Sequence, residues 1–451
     1  MKHVAIPYKS IDESVRERRR DTMMNMVDEQ DSTVVRLVDQ VIVEAYHRGA
    51  SDVHIEPSPT RNETIVRLRV DGTCFTSMKI PAAYHRAVIS RLKIMANLDI
   101  AERRKPQDGK IRLTLAHGQV LELRVATIPT SGGNEDMVLR VLAQKDIMPL
   151  EAMEFAPEVL RAVKALAELP CGLFLCVGPT GSGKTTTLHA ILKHINTDER
   201  KIWTAEDPIE ITQEGLRQVQ VHPKIGLTFA AAMRAFLRAD PDVIMIGEMR
   251  DKETADIAIE ASLTGHLVFS TLHTNSAAET VTRLIEMGCD PLNVADTIVG
   301  VLAVRLCKRL CEACKEPYHP TKREYDELAQ GYGRVQWETR HLPYTNEWTL
   351  YRAVGCKRCH GRGFSGRVAL HELLIGSRNI KRLIRAKATT AELVAAAKSE
   401  GMVTLFQHGI DKVIQGVTTY SQVRAVTIRD YEDVVVSSDC LATPHNQAPT
   451  E

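Results

Sequence analysis

Eight consecutive residues, Gly178 to Thr185, have the types and the spacing that bind phosphate groups. They read Gly-Pro-Thr-Gly-Ser-Gly-Lys-Thr, and the glycines allow the backbone to curl tightly and to aim its N–H groups at phosphate oxygens. In such a loop Lys184 reaches the β- and γ-phosphates, and the Thr185 hydroxyl ligates Mg²⁺. A structural glycine turn is the alternative, but an apolar strand before the loop and a helix after it favour ATP and Mg²⁺ as ligands. The predicted nucleotide contacts in this region are Gly178, Pro179, Thr180, Gly181, Ser182, Gly183, Lys184, Thr185 and Thr186.

Two carboxylates and a histidine follow predicted strands, which is where ligands of open α/β sheets bind. Glu206 comes after one apolar strand, and Glu248 comes after another, Val243–Ile246. Either carboxylate could position or activate the attacking water, or hold Mg²⁺ through water. His273 could sense the γ-phosphate or hydrogen-bond a carboxylate, with a purely structural hydrogen bond as the alternative. With Lys184, these three residues are the predicted catalytic groups.

Four cysteines form two Cys-x-x-Cys pairs that could bind a metal ion. Residues 315–355 separate the pairs, a longer gap than the roughly 15–20 residues of a compact zinc ribbon. Two such pairs can present four thiolates tetrahedrally, as structural Zn²⁺ requires. Reduced thiols without metal are the alternative, and Cys307 or His360 could replace one ligand. The predicted zinc ligands are Cys311, Cys314, Cys356 and Cys359.

The elements that must position these groups alternate between apolar strands and helices from residue 171 to about 300. This alternation is typical of a parallel sheet with helices on both faces. Apolar residues at helical spacing predict a helix over Thr185–Ile195, and an amphipathic helical region over 379–428. The predicted strands are Leu173–Val177, Ile202–Ala205, Val243–Ile246 and Leu267–Thr271.

A smaller α+β domain is predicted over residues 33–146. Its expected elements are a helix from Val34 to Gly49, a hairpin turn at Asp71-Gly72, a helix over 80–98 and strands over 119–126 and 137–142. Its predicted strands also carry arginines that alternate with apolar residues, namely Arg67, Arg69, Arg124 and Arg140. From the residues alone, such arginines are as readily solubilising groups as phosphate contacts.

Composition places the chain of 451 residues, with a net charge of +1, among ordinary globular proteins. The neutral balance gives no sign of a nucleic-acid or membrane surface over the whole molecule. We expect a cytoplasmic protein, because the sequence shows no signal peptide or apolar span, and ten cysteines then indicate a reducing compartment. The expected order is a leader 1–32, the α+β domain 33–146, a linker and helix 147–170, a nucleotide-binding domain 171–435 that includes a cysteine module 305–365, and a disordered tail 436–451.

Four stretches around the phosphate loop resemble the secretion ATPases, specifically the type II secretion and type IV pilus assembly motors. They stand in that family's order of Walker A, Asp box, Walker B and His box, and the resemblance extends over about residues 33–430. The four stretches are 177–188, 204–210, 237–251 and 263–275, and the similar segments of the smaller domain are 49–57, 67–72, 95–103 and 106–110.

The resemblance implies a hexameric α/β ATPase with a RecA-like P-loop NTPase domain, an N-terminal PAS-like α+β domain and a small cysteine metal-binding insertion. It assigns Glu206 and Glu248 as acidic catalytic residues and His273 to the His box. It also places Arg124 and Arg140 where the family has arginines that contact the nucleotide, with Arg67 in a similar strand.

The expected function is therefore a cytoplasmic homo-hexamer that hydrolyses ATP to power assembly of a type IV pilus or a type II secretion pseudopilus. The resemblance implies peripheral association with the inner membrane and with platform proteins there. The cysteine module favours assembly or secretion, because pilus retraction motors generally lack it. The alternatives are a conjugation or DNA-uptake motor and a non-hydrolysing nucleotide-gated scaffold, whereas nucleic-acid translocation is disfavoured by the neutral charge.

Two departures from the family pattern qualify this expectation. The additional N-terminal domain with which many members dock to their membrane partner is expected to be absent or reduced to the first 30 residues. The stretch 130–136 lacks the sequence that the family usually has there, so nucleotide contacts are not expected from it.

Overall fold

The computed structural model describes residues 33–58, 62–114, 120–142, 147–345 and 347–427. The chain divides into two compact units at the boundary between residues 145 and 146. The expected leader 1–32 and tail 436–451 lie outside the described residues. Among the residues that are described, no helix is long and apolar enough to cross a membrane.

The described part of the first unit is an antiparallel six-stranded sheet with two α-helices. The strands stand in the order β3-β2-β1-β6-β5-β4, and helix α1 covers residues 33–47. Its other elements are β1 (Asp52–Pro57), β2 (Glu63–Val70), β3 (Thr73–Pro81), α2 (Ala82–Met95), β4 (Gln107–Thr114), β5 (Val120–Thr130) and β6 (Asn134–Leu142).

Alternation along these strands explains why one face of the sheet is apolar. In β2, for example, Val66 and Leu68 are buried in the core while Arg67 and Arg69 point to the other face. The hairpin turn predicted at Asp71-Gly72 is confirmed, because it joins β2 to β3. The sequence did not show the extent of β3 or the presence of β4, because few of their residues are buried and neither shows a clean apolar alternation. The helix expected over 80–98 begins at Ala82, since β3 continues through Pro81.

The second unit contains a seven-stranded sheet in the order β15-β12-β7-β11-β10-β8-β9. All neighbouring strands pair parallel except the edge strand β15, which pairs antiparallel with β12. The strands are β7 (Gly172–Val177), β8 (Ile202–Glu206), β9 (Arg217–Gln220), β10 (Val243–Ile246), β11 (Leu267–Leu272), β12 (Ile298–Leu310) and β15 (Phe364–Ile375).

Helices cover both faces of this sheet, as the sequence predicted. Along β7, Phe174 and Cys176 join an apolar cluster with α3 (Pro157–Ala167) and α4 (Lys184–Ile195). The alternate residues Leu173 and Leu175 join a second cluster. That cluster includes α5 (Phe229–Phe236), α6 (Lys252–Leu263), α7 (Ala277–Glu286) and α8 (Pro291–Thr297). A strand buried on both faces needs apolar residues throughout, which is why the central strands read as uninterrupted apolar runs.

The cysteine region is inserted between β12 and β15, two strands that pair directly with each other. Residues 305–310, expected in the cysteine module, belong to β12 of the main sheet. The inserted elements are β13 (Glu316–Tyr318), α9 (Lys322–Tyr332), α10 (Arg334–Glu338) and β14 (Leu350–Arg352). Up to residue 427, the helices that follow β15 are α11 (Arg378–Arg385), α12 (Thr390–Ser399), α13 (Leu405–Ile414) and α14 (Tyr420–Val426).

A buried carboxylate in β15 connects helices α7 and α13. Glu372 is 5% exposed. Its Oε1 accepts a hydrogen bond of 2.8 Å from the backbone N–H of Ala277, the first residue of α7. Its Oε2 accepts one of 3.1 Å from the backbone N–H of Leu405, the first residue of α13. The negative charge therefore lies at two helix N-termini, where backbone N–H groups lack partners within the helix.

A candidate nucleotide site at the ends of the central strands

The phosphate loop lies between β7 and the N-terminus of α4. Its first glycine, Gly178, has φ +150°, and a Cβ there would lie 2.5 Å from the Ser182 hydroxyl oxygen and 2.5 Å from the Val304 carbonyl oxygen. Gly183, with φ +99°, takes the left-handed conformation that leads into the helix. A side chain at Gly178 would clash with Ser182 and Val304, and a side chain at Gly183 would be strained by the left-handed backbone there.

Lys184 lies over the loop. Its ammonium group donates to the carbonyl oxygens of Gly178 at 2.7 Å and Pro179 at 3.1 Å. Burial lowers the pKa of Lys184, and the charge of Arg305 lowers it further. The Ser182 hydroxyl is buried and has no hydrogen-bonding partner among the described residues. An ammonium group and an orphaned hydroxyl beside an N-terminal helix turn fit the oxygens of a phosphate chain.

The parallel register brings three strand ends and the loop to the same edge of the sheet. Ile246 of β10 pairs with Ala205 of β8 and with Ser270 of β11. β11 in turn pairs with β7, which leads directly into the loop. The residues that follow these strands therefore share the edge that carries the loop.

Glu248 and His273 meet at this edge. The Nε2 of His273 lies 3.3 Å from the Oε2 of Glu248, and Arg250 forms an ion pair with the same carboxylate. Burial lowers the pKa of His273, and the charges of Lys184 and Arg250 lower it further. The imidazole is therefore neutral at ordinary pH and can donate from Nε2 to the carboxylate. This is the hydrogen bond to a carboxylate that the sequence offered as one interpretation.

Glu206, at the end of β8, is 3% exposed, and each of its two oxygens has a hydrogen-bonding partner. Its Oε1 accepts from the Thr204 hydroxyl at 2.6 Å and from the Gln218 amide at 2.9 Å. Its Oε2 lies 3.3 Å from the Nε2 of His189. Burial raises the pKa of the Glu206 carboxyl, but these hydrogen bonds outweigh it and hold that pKa below its usual range. Glu206 is therefore a carboxylate with a fixed orientation.

Sequence reasoning missed two residues of this site. Arg305, in β12, is 6% exposed, and a Cβ at Gly178 would lie 3.0 Å from its Nη1. Its Nη2 donates to the Asn275 carbonyl at 2.8 Å, so it connects the loop with the segment that follows His273. The signal for Arg305 is a lone cation in the apolar run 298–306. His189 carries a similar signal, a histidine on the apolar face of α4.

The predicted nucleotide-contacting arginines lie on the open face of the sheet in the first unit. Arg140 donates to Asp52 at 2.9 Å, and Arg67 donates to Glu56 at 2.6 Å. Arg124 is exposed and lies directly opposite Arg140 in the register of β5 and β6. Within this unit the three arginines share one surface, as strand alternation requires.

The four cysteines converge on one point. Their sulfur atoms all lie within 4.8 Å of one another, with Cys311 to Cys356 at 3.9 Å and Cys314 to Cys359 at 3.8 Å. Four sulfurs arranged tetrahedrally at the Zn–S distance of about 2.3 Å would lie about 3.8 Å apart. Backbone N–H groups of Cys356 and Gly363 also donate to the Cys359 sulfur, as a thiolate requires. The geometry therefore fits Zn²⁺.

The alternative zinc ligands are not part of this cluster. Cys307 lies in β12, paired with Val368, and neither it nor His360 belongs to the group of potential ligands that converge.

The chain matches the family model described as "Type II/IV secretion system protein" over residues 27–425. It is 45% identical over 400 residues to the type IV pilus assembly ATPase PilB of Thermus thermophilus, covering 88% of this chain and 43% of that protein. It is 42% identical over 401 residues to the type II secretion system protein E of Dickeya dadantii, covering 88% and 76%. The chain thus spans less than half of the Thermus relative and about three quarters of the Dickeya one.

Solved structures with the same architecture include the pilus retraction motor PilT with bound ADP, at 26% identity and a TM-score of 0.56, covering 88% of this chain and 98% of that one. The Legionella pneumophila ATPase DotB superimposes with a TM-score of 0.62 at 21% identity, covering 86% and 94%, a likeness that concerns the fold alone. These likenesses, with the α/β sheet and the four-cysteine cluster, confirm the predicted fold class. The chain belongs to the type II/IV secretion system protein family, among whose members are the type IV pilus assembly and type II secretion ATPases.

Proposed function

We propose that this protein is a cytoplasmic, homo-hexameric ATPase that powers assembly of a type IV pilus or a type II secretion pseudopilus at the inner membrane. The observation that carries the proposal is the meeting of the phosphate loop, Glu206, Glu248 and His273 at one sheet edge. The names of the relatives support the choice of machine. Platform proteins of the inner membrane are the proposed partners, and nucleic acid is not among them.

The phosphate loop supplies the groups that bind the nucleotide. The loop amides and Lys184 hold the phosphate oxygens, and the Ser182 hydroxyl provides a further donor. The Thr185 hydroxyl holds Mg²⁺, which neutralises charge on the phosphates when bound. Lys184 exchanges its bonds to loop carbonyls for bonds to phosphate, so its charge is no longer buried without a counter-ion.

Two carboxylates position the attacking water. Glu248 accepts from His273 and pairs with Arg250, and these two contacts orient the carboxylate. Glu206 is fixed by three donors and remains ionised at neutral pH. A water held between two oriented acceptors is directed for attack on the γ-phosphate.

The arginines of the first unit are the remaining proposed nucleotide contacts. Arg67, Arg124 and Arg140 each carry a positive charge and a fork of N–H donors that suit a γ-phosphate. A nucleotide that binds two conformations of the protein with different affinity changes which one is populated, so hydrolysis can drive motion. Zinc at the four cysteines stabilises the inserted module and takes no part in hydrolysis.

ATP turnover across a sizing column, with zinc quantified in each fraction, tests the proposal. We expect turnover in a hexamer-sized peak that carries about one zinc per subunit, with turnover lost in Glu248→Gln. Tight ATP binding without turnover in assembled rings would instead support a nucleotide-gated scaffold.

A further inference from the structure

Three buried polar side chains, which we call the His189 cluster, lie behind the nucleotide site. They are His189 on α4, Glu206 at the end of β8, and Gln213. The imidazole of His189 is completely buried, with Nε2 3.3 Å from Glu206 Oε2 and Nδ1 3.3 Å from the Gln213 side-chain oxygen. α4 is also the helix that begins at Lys184, so the cluster and the phosphate loop share one rigid element.

The two oxygens of Glu206 have different environments. Oε1 accepts from two side chains, Thr204 and Gln218, at ordinary hydrogen-bond distances. Oε2 contacts His189 alone among the side chains that the structure describes. Oε2 is therefore the oxygen with capacity to accept another hydrogen bond, and His189 is the group that fixes its direction.

Hydrogen bonding also determines which side chain of the cluster donates to which. The Gln213 Nε2 is buried without a partner in the described part of the chain. The two ends of a glutamine amide have the same shape, so their assignment follows from hydrogen bonding. Turning this amide over places Nε2 against His189 Nδ1. Gln213 then donates to Nδ1, and His189 donates from Nε2 to Glu206.

We propose that His189 is a positioning residue for ATP hydrolysis, which holds Glu206 so that Oε2 can accept a hydrogen bond from the attacking water. This inference rests on the proposed function, because it assigns His189 through Glu206. Removing the Nε2 donor would leave Glu206 ionised but free to rotate about its terminal bond. A misdirected carboxylate orients water poorly, whereas nucleotide binding by the loop is unaffected.

Three substitutions in the full chain separate this role from simple packing. His189→Leu removes both nitrogens. His189→Gln places an amide nitrogen as many bonds from Cβ as the imidazole Nε2, whereas His189→Asn reproduces only the Nδ1 position. We expect His189→Leu to lower kcat by about 10- to 100-fold, with KM for ATP and the affinity for fluorescent mant-ATP within about two-fold of wild type. His189→Gln should restore most of kcat, and His189→Asn should not.

Equal kcat values for the Gln and Asn variants would overturn the inference, as would a near-normal kcat for His189→Leu. If His189→Leu does not fold, the Gln and Asn pair still decides. The proposed function is tested separately by Lys184→Ala and Glu206→Gln. Loss of turnover in those variants together with normal turnover in His189→Leu would refute the positioning role and leave the ATPase assignment standing. Absence of Lys184-dependent turnover in wild type would refute both.

Discussion

Replacing Glu372 with glutamine is expected to loosen the N-termini of α7 and α13 together. The carboxylate accepts one backbone N–H from each helix, Ala277 at 2.8 Å and Leu405 at 3.1 Å. A glutamine has a single carbonyl oxygen, so it can accept from only one of these amides. Its NH₂ group would face the other amide, donor against donor.

The magnitude follows from these contacts. Losing one charge-assisted hydrogen bond while the backbone N–H stays buried costs about 2 kcal/mol. Removing the negative charge from two helix N-termini costs about 0.5 kcal/mol for each helix. The sum of about 3 kcal/mol corresponds to roughly a 100-fold increase in local opening.

Amide hydrogen exchange of wild type and Glu372→Gln measures this opening directly. We expect faster exchange at the starts of both α7 and α13, by up to about 100-fold. Glu392→Gln is a matched control, because Glu392 is an exposed carboxylate that accepts the backbone N–H of Thr389 at 2.8 Å. That control should change exchange only at α12, by less than about ten-fold. Unchanged exchange at both α7 and α13 would refute the conclusion that Glu372 stabilises both helix N-termini.

The remaining predictions concern turnover, metal and pH. Lys184→Ala should abolish phosphate release, whereas Lys193→Ala, which alters an exposed lysine on the same helix, should leave it near wild type; equal rates would contradict the loop assignment. Cys356→Ser should lose zinc and lower the thermal midpoint, while Cys171→Ser, at an exposed free cysteine, should change neither. Burial, with the nearby Lys412 charge, lowers the pKa of His408 to about 4, so the unfolded chain binds more protons below about pH 6.5. Stability from His408 should be complete above that pH and fall by about 3 kcal/mol as the pH drops through 4; His408→Asn should flatten that slope in thermal unfolding, and an unchanged slope would exclude His408 as its source.

The central strands were predictable because burial on both faces demands apolar residues. Val243–Ile246 coincides with its observed bounds, and the other three strands predicted for the second unit differ by one residue at one end. The strands predicted over 119–126 and 137–142 in the first unit are observed over Val120–Thr130 and Asn134–Leu142. Glycine and lysine spacing likewise defined the phosphate loop. Both patterns depend only on neighbouring residues, so each can be recognised within one short segment of the sequence.

Long-range packing explains what the sequence did not reveal. The last residues of β12 are largely basic and directly precede Cys311, so the sequence pattern grouped them with the cysteine module instead of with a strand. β15 was hidden because charged residues interrupt its apolar run. His189 contacts Glu206, and Gln213 contacts His189, from distant positions in the chain, and nothing in their spacing predicts these contacts. Arg305 was hidden for the same reason, as part of β12.

The inserted module has the topology of an enlarged hairpin loop. Leu310 and Phe364 are paired neighbours on β12 and β15, so the chain leaves and re-enters the sheet within one strand spacing of about 5 Å. A short turn could close that gap without shifting the register of any strand. A single insertion or deletion between β12 and β15 could therefore add or remove the whole module, which we call the cassette, and leave the sheet unchanged.

Removing the module would take away contacts that it makes with α13. The module covers that helix, with Gly331 packed near Phe406, Gln407 donating to the Tyr332 carbonyl, and Arg340 paired with Asp411. A chain without the module would expose Phe406 to water and leave Asp411 without its partner Arg340. We therefore expect proteins that dispense with the cassette to carry polar residues on this face of the helix. Removal of the cassette thus depends on the residues of α13 that it covers as well as on the two strand ends that it joins.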